Sequence, residues 1–167
     1  MIVVVMGVSG CGKSTVGQLL AQRLCCPFSD ADAFHPPANI AKMRRGLALT
    51  DEDRWPWLRA IRTAIVTSIA REEDHVLACS ALKDSYRRVL AEDGDVLFVH
   101  LTGDPALIRE RLGARRDHFF DPALLQDQLD TLEAPTDAIV VDIALGPDRI
   151  VEDLIDVLRP PHREDTP

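Results

Sequence analysis

The chain reads as a single α/β unit built on a parallel sheet, and three observations carry that reading. Its 167 residues suit one domain with a sizeable core and leave no room for a second large one. Short apolar runs recur at Ile2–Met6, 75–79, 95–101 and 138–143, each followed by a segment of helical spacing. The runs are nearly continuous in Val, Leu and Ile rather than alternating, the pattern of strands covered by helices on both faces.

The first run ends at Gly7-Val8-Ser9-Gly10-Cys11-Gly12-Lys13-Ser14, which reads G-x-x-x-x-G-K-S, and a helical pattern follows over 13–24. Glycines at 7, 10 and 12 allow backbone conformations in which successive N–H groups turn inward around a phosphate. The helix start adds its unpaired amides and the positive end of its dipole. Lys13 is placed to reach the β- and γ-phosphates of ATP, and the Ser14 hydroxyl to ligate the Mg²⁺ that bridges them. Residues 7–14 and the adjoining Thr15 are therefore the expected ATP-binding segment.

A weaker strand is expected at 27–30, followed by Ser29-Asp30-Ala31-Asp32 at the edge where open α/β sheets hold ligands. A strand running on through Asp32 would put both carboxylates on one face. Asp30 would then hold Mg²⁺ with its water, and Asp32 would accept a proton from an attacking hydroxyl. The alternative is an acidic turn that caps the next element. Residues 33–52 read as an insertion. The next helix is expected over 54–71, where Trp57, Ile61, Ile65 and Ile69 recur at four-residue intervals. Pro56 then belongs in the first turn, with Asp53 as the cap.

Further helices are expected at 83–91, 104–114, 122–132 and 148–158, the last ended by Pro160-Pro161. The domain thus spans 1–158, and 159–167 reads as a disordered tail. The connection 114–121 holds Arg115, Arg116 and His118, with Arg111 one turn earlier. A mobile flap carrying arginines suits phosphoryl transfer, since a planar cation can close over the migrating group and exclude water. A solvated basic helix end is the competing interpretation.

A net charge of −8 and a pI near 5.0 argue against general nucleic-acid or anionic-membrane partners. No apolar segment approaches the roughly 20 residues of a membrane span. Cys11, Cys25, Cys26 and Cys79 show no paired C-x-x-C spacing, so reduced thiols and a cytoplasmic location are expected.

Longer strings resemble one family. Asp30-x-Asp32-x-Phe34-His35-Pro36-x-x-Asn39-Ile40-x-Lys42-Met43, then Leu49-Thr50-Asp51-x-Asp53-Arg54-x-Pro56-Trp57-Leu58, are similar to the gluconate kinases of the shikimate-kinase-like group. So are Cys79-Ser80-Ala81-Leu82-Lys83-x-x-Tyr86-Arg87, the lid stretch from Arg111 to Phe120, and Gln128-x-x-Thr131-Leu132-Glu133-x-Pro135. The resemblance covers nearly the whole chain. It implies a three-layer sandwich of nucleoside-kinase type with a five-stranded parallel sheet and a mobile lid. It also implies a cytoplasmic homodimer and transfer of the ATP γ-phosphate to O6 of D-gluconate.

A polyol carboxylate needs a cation, hydrogen-bonding groups and a base near its primary alcohol. The candidate cations are Arg54, Lys83 and Arg87, with His35, Lys42 and Ser80 as lesser polar contacts. Lys13, Asp32 and Arg115 are the expected catalytic residues, Ser14 and Asp30 the Mg²⁺ ligands, and Arg111 a support for ATP. The neighbourhood of Pro135 and Thr136 is the expected source of adenine contacts. Alternatives are another small hydroxy acid, such as shikimate, or a nucleotide-binding module without catalysis. Ala31 stands where the family usually has Gly, so a conformation open to alanine is expected there; Cys11 adds a thiol beside the phosphates.

Overall fold

The computed structural model describes residues 1–92, 94–114 and 122–159. Five parallel strands, β1 (Ile2–Met6), β2 (Phe28–Asp30), β3 (His75–Ala78), β4 (Val96–Thr102) and β5 (Ile139–Asp142), lie in the order β2-β3-β1-β4-β5. The helices are α1 (Lys13–Leu24), α2 (Pro37–Arg44), α3 (Asp51–Ala70), α4 (Asp84–Ala91), α5 (Pro105–Gly113), α6 (Pro122–Thr131) and α7 (Pro147–Leu158). Two 3-10 turns, Ala31–Phe34 and Ile143–Leu145, follow β2 and β5.

The central strand β1 shows why the layers form. All five of its residues are buried, and alternate side chains enter different cores. Val3 and Val5 join Leu20 of α1 and Val151 and Leu154 of α7, with Ile108 of α5 at the same core. Ile2, Val4 and Met6 join Leu58, Ile61 and Ile65 of α3 and Leu90 of α4. Each such aliphatic side chain contributes about 1.5–3 kcal/mol by leaving water, so neither face of β1 tolerates exposure.

The structure departs from the sequence reading at α3. The helix begins at Asp51, not 54, because Thr50 is its cap: the Thr50 hydroxyl accepts from the Asp53 amide, and the Asp53 carboxylate accepts from the Thr50 amide. Asp53 is thus the third helical residue, not the cap. Pro56 lies inside the helix, where the amide it lacks would have bonded the exposed Glu52. The span 33–52 is more ordered than a bare insertion, since α2 forms within it from Pro37 at a position where the missing amide is harmless. At the far end, Arg159 closes α7 and donates to Asp74, which also accepts from the terminal amine of Met1. Residues 115–121, including Arg115, Arg116 and His118, lie outside the described residues, as do 160–167.

Candidate active site

The loop from β1 to α1 is held in a conformation that only glycine permits at its key points. Gly7 has φ +137°, and a Cβ there would lie 2.6 Å from the Leu101 carbonyl oxygen. Gly10, at φ +85°, leaves its Cβ space to Leu112 of α5. Gly12 precedes α1 in the left-handed region and offers no side-chain cap, and the first turn of the helix has no acidic residue. The amides at the start of α1 therefore have no competing side chain, which is what an anion site requires. Lys13 Nζ spans the loop to the Val8 carbonyl at 3.0 Å. Cys11, expected beside the phosphates, is instead buried in the core at 1% exposure.

Opposite the loop, the Ser14 hydroxyl donates to Asp30 Oδ2 at 2.6 Å. The other Asp30 oxygen accepts from the Asp32 amide at 3.1 Å. That second bond ends β2 at Asp30 and starts the 3-10 turn, so the two carboxylates do not share a strand face as expected. Both nevertheless line one cavity of about 580 Å³, together with Ser9, Lys13, Ser14 and Ser80. This is within the size range of small-ligand sites. Ala31 adopts no positive φ, as its side chain demands. Trp57 Nε1 donates to the Ala31 carbonyl at 2.7 Å and so ties the turn to α3.

His35 and Arg54 also line this cavity, as do Asp127, Gln128, Asp130 and Thr131 of α6. His35 is 9% exposed and stacks on Trp57, with ring centroids 4.4 Å apart. Burial holds its pKa below the ordinary imidazole value, Asp32 opposing and Arg54 assisting. Arg54 donates to the Tyr86 hydroxyl at 3.2 Å and lies 3.8 Å from Asp51.

The remaining predicted contacts stand off the cavity wall. Lys42 is paired with Asp53 at 2.7 Å, and this bond, with help from Thr50, lowers the Asp53 carboxyl to about 2. Lys83 donates to both oxygens of Asp51, at 2.8 and 2.9 Å, and Tyr86 donates to the same carboxylate. These bonds, Lys83 first, hold the Asp51 carboxyl below its usual range, while Asp51 raises Lys83. Arg87 is buried and donates to the carbonyls of Ala81 and Leu82 at 3.0 and 3.1 Å. It braces a turn in which Ala81 has φ +43°, an unusual conformation for alanine. Arg111 donates to the Ile143 carbonyl at 3.0 Å, and neither it nor Pro135 and Thr136 lines the cavity. The Cys79 thiol beneath Ser80 is pushed up to about 12 by burial.

Several wall residues were not singled out from the sequence as site residues, Trp57 and Gln128 among them. Trp57 registers there as a core position of α3 and within the string from Leu49 to Leu58. Gln128 of α6 appears only within the string ending at Pro135, yet its Oε1 accepts from the Ser9 amide at 2.6 Å, placing a carboxamide oxygen on the phosphate loop. Leu125 and Leu129 on the same helix pack into the core and set Gln128 at this position.

Comparison with known proteins shows the family and the fold. The shikimate kinase family model matches residues 9–154. Gluconokinase of Gluconobacter oxydans is 45% identical, over 91% of this chain and 88% of its own. The structure of a sugar kinase from Janibacter sp. HTCC2649 superposes with a TM-score of 0.88 at 45% identity, covering 94% of this chain and 93% of that one. A gluconokinase structure from Sinorhizobium meliloti gives 0.79 at 47% identity, covering 90% and 87%. With its phosphate loop, its strand order and this likeness over nearly the full length, the chain belongs to the shikimate-kinase family and, within it, to the gluconokinases.

Proposed function

We propose that the protein transfers the γ-phosphoryl group of ATP to O6 of D-gluconate, giving 6-phospho-D-gluconate and ADP. The observation that carries this reading is the convergence on one cavity of the phosphate loop, the Asp30 and Asp32 carboxylates, and the His35 and Arg54 wall. The loop supplies a site for the phosphates, and the facing wall supplies polar groups for a polyol acid. Support for gluconate in place of shikimate is that full-length relatives at 39–45% identity carry the gluconokinase name.

Asp32 accepts the proton of the C6 hydroxyl as O6 attacks the γ-phosphorus and the bond to the ADP oxygen breaks. Lys13 meets the negative charge of the phosphates from the loop side. The Ser14 hydroxyl and the Asp30 carboxylate are hard oxygen donors 2.6 Å apart, fit for Mg²⁺, which keeps most of its waters and leans on substrate phosphates. When bound, Mg²⁺ neutralises charge across the β- and γ-phosphates. Arg54 is the cation assigned to the gluconate carboxylate, held in place by Tyr86 and Asp51. Arg115 is assigned to the transferring group and Arg111 to ATP. A homodimer in the cytoplasm completes the reading; no helix among the described residues is long and apolar enough to cross a membrane.

The test is ATP- and Mg²⁺-dependent phosphorylation of D-gluconate, coupled to 6-phosphogluconate dehydrogenase, beside shikimate and glucose followed by ADP release. Preference for gluconate is expected. Turnover of another acceptor with gluconate inert would remove the substrate assignment while keeping phosphoryl transfer.

A further inference from the structure

We infer that Asn39 fixes His35 as the tautomer protonated on Nε2, so that a neutral imidazole presents a rigid N–H donor to a hydroxyl oxygen of the acceptor substrate. Asn39 is a positioning residue in this scheme, and His35 a specificity-determining one. The inference deepens the gluconokinase reading and rests on it for the identity of the acceptor.

The geometry assigns the proton. Asn39 is 3% exposed, in the first turn of α2. Its Nδ2 donates to the Asp53 carbonyl at 2.8 Å, and because a carbonyl only accepts, the amide must lie this way round. The same Nδ2 lies 3.4 Å from His35 Nδ1, and its second hydrogen is the one left for that nitrogen. A donor there requires a lone pair on Nδ1, which leaves the ring proton on Nε2. Trp57 fixes the ring plane by stacking at 10°, and is itself anchored through Nε1 to Ala31. In-plane rotation is therefore set by Asn39 and tilt by Trp57.

The proton is also available. Among the described residues no buried side-chain nitrogen or oxygen lacks a hydrogen-bond partner. Nε2 has no partner among those residues, so it is not buried, and the ring forms part of the cavity wall. The charged groups around it are Asp32 on its own turn, Arg54 from α3, and the Lys42–Asp53 pair joining α2 to α3. Burial lowers the pKa of the ring, with Asp32 opposing. A neutral donor suits a hydroxyl, while the carboxylate falls to Arg54.

The experiment has two arms. In the free protein, ¹⁵N NMR of the imidazole nitrogens at pH 7.5, with His35 assigned by its loss in His35→Gln, should show Nε2 protonated and Nδ1 bare. Asn39→Asp replaces the donor by an acceptor of the same shape, and should move the proton of the neutral ring to Nδ1. In turnover, wild-type KM for gluconate should be flat from pH 7 to 9. In Asn39→Asp it should rise about 3- to 10-fold as the ring deprotonates, recover at lower pH where the imidazolium again donates from Nε2, and leave KM for ATP unchanged. His35→Leu should show the rise at every pH, with partial rescue by His35→Gln, whose amide donates.

A wild-type ring protonated on Nδ1, or a tautomer indifferent to Asn39→Asp, overturns the assignment. A gluconate KM unaffected by His35→Leu overturns the substrate contact. Absence of gluconate turnover by the wild type defeats the functional reading and the contact with it, whereas the tautomer is decided in the free protein by the first arm.

Discussion

Replacing Trp57 by Phe tests whether the core of α3 sets the geometry of the carboxylate turn. The indole is 3% exposed, and its N–H is bonded at 2.7 Å to the carbonyl of Ala31, a residue 1% exposed. Phenylalanine keeps an aromatic face for His35 but removes the donor and part of the volume. A buried carbonyl left without a partner costs about 1–3 kcal/mol. The lost ring atoms add a cavity term on the order of 1 kcal/mol, since packed interiors relax only partly. The sum, about 2–4 kcal/mol, is a large part of a typical domain stability of roughly 5–15 kcal/mol.

The same bond holds the turn that carries Asp32, so kcat should fall by about tenfold or more while KM for ATP, set by the loop on the other side, stays within about twofold. Urea unfolding followed by circular dichroism gives the stability term, and coupled turnover gives the second. Incorporating a benzothiophene isostere of tryptophan separates the two contributions, because it keeps the volume and lacks the N–H. An unfolding free energy within about 0.5 kcal/mol of wild type, the size of neutral surface substitutions, together with unchanged kcat, would refute the link from core to turn.

Asp32→Asn should lower kcat by about 10²–10⁴-fold with ATP binding preserved, and near-normal turnover would remove Asp32 as the base. Gly7→Ala, whose Cβ would meet the Leu101 oxygen at 2.6 Å, should abolish ATP binding by calorimetry and lower the melting temperature; Gly12→Ala, with no atom within 4 Å, should cost only about 1–2 kcal/mol for its positive φ. Stability should also depend on His75, which is buried between the hydroxyls of Ser29 and Ser68 at 2.9 and 2.8 Å. Burial lowers its pKa in the folded state, with Glu73 opposing, so its contribution is complete above the ordinary value of 6.5 and is lost as pH falls below it. His35 and His100 shift in the same direction. Urea unfolding between pH 5 and 8 should show this loss, and His75→Gln should flatten part of it; an unaltered slope in that variant would exclude His75 as a contributor.

What the sequence displays well is whatever a short window can encode. The five strands and the phosphate loop are legible because each is a contiguous run whose burial or backbone need is written in its own residues, as with Gly7 and Ile2–Met6. The start of α3 was less legible. Thr50 and Asp53 form a reciprocal cap that outweighs the proline three residues later, and a reading anchored on Pro56 places the helix start too late. The end of β2 was misjudged for a related reason: Asp30 spends one oxygen on the Asp32 amide, a local bond that competes with strand continuation. Gln128 lies 119 residues from Ser9, and no periodicity links such positions; only the shared family string marks it.

The cations show the same limit in its sharpest form, because a residue's charge is visible in sequence while its partner is not. Lys83 and Arg87, four residues apart, invite assignment to one anionic ligand, yet Lys83 is spent on Asp51 and Arg87 on two backbone carbonyls. Lys42 is spent on Asp53. In an acidic chain of net charge −8, a basic side chain readily meets a carboxylate, and Asp51 and Asp84 each take two of them. Among the described residues, Lys13 and Arg54 are the cations left on the cavity wall, one on the phosphate loop and one at the opposite side of the site formed by α3. Asp51 then has a purpose that its charge alone does not suggest. By binding Lys83 and Tyr86 it holds the hydroxyl to which Arg54 donates, so a carboxylate near an anion-binding site keeps the cation pointed where the anion must go. Removing Asp51 would free two positive charges and still weaken recognition, since an unrestrained guanidinium gives up the orientation that makes its hydrogen bonds selective.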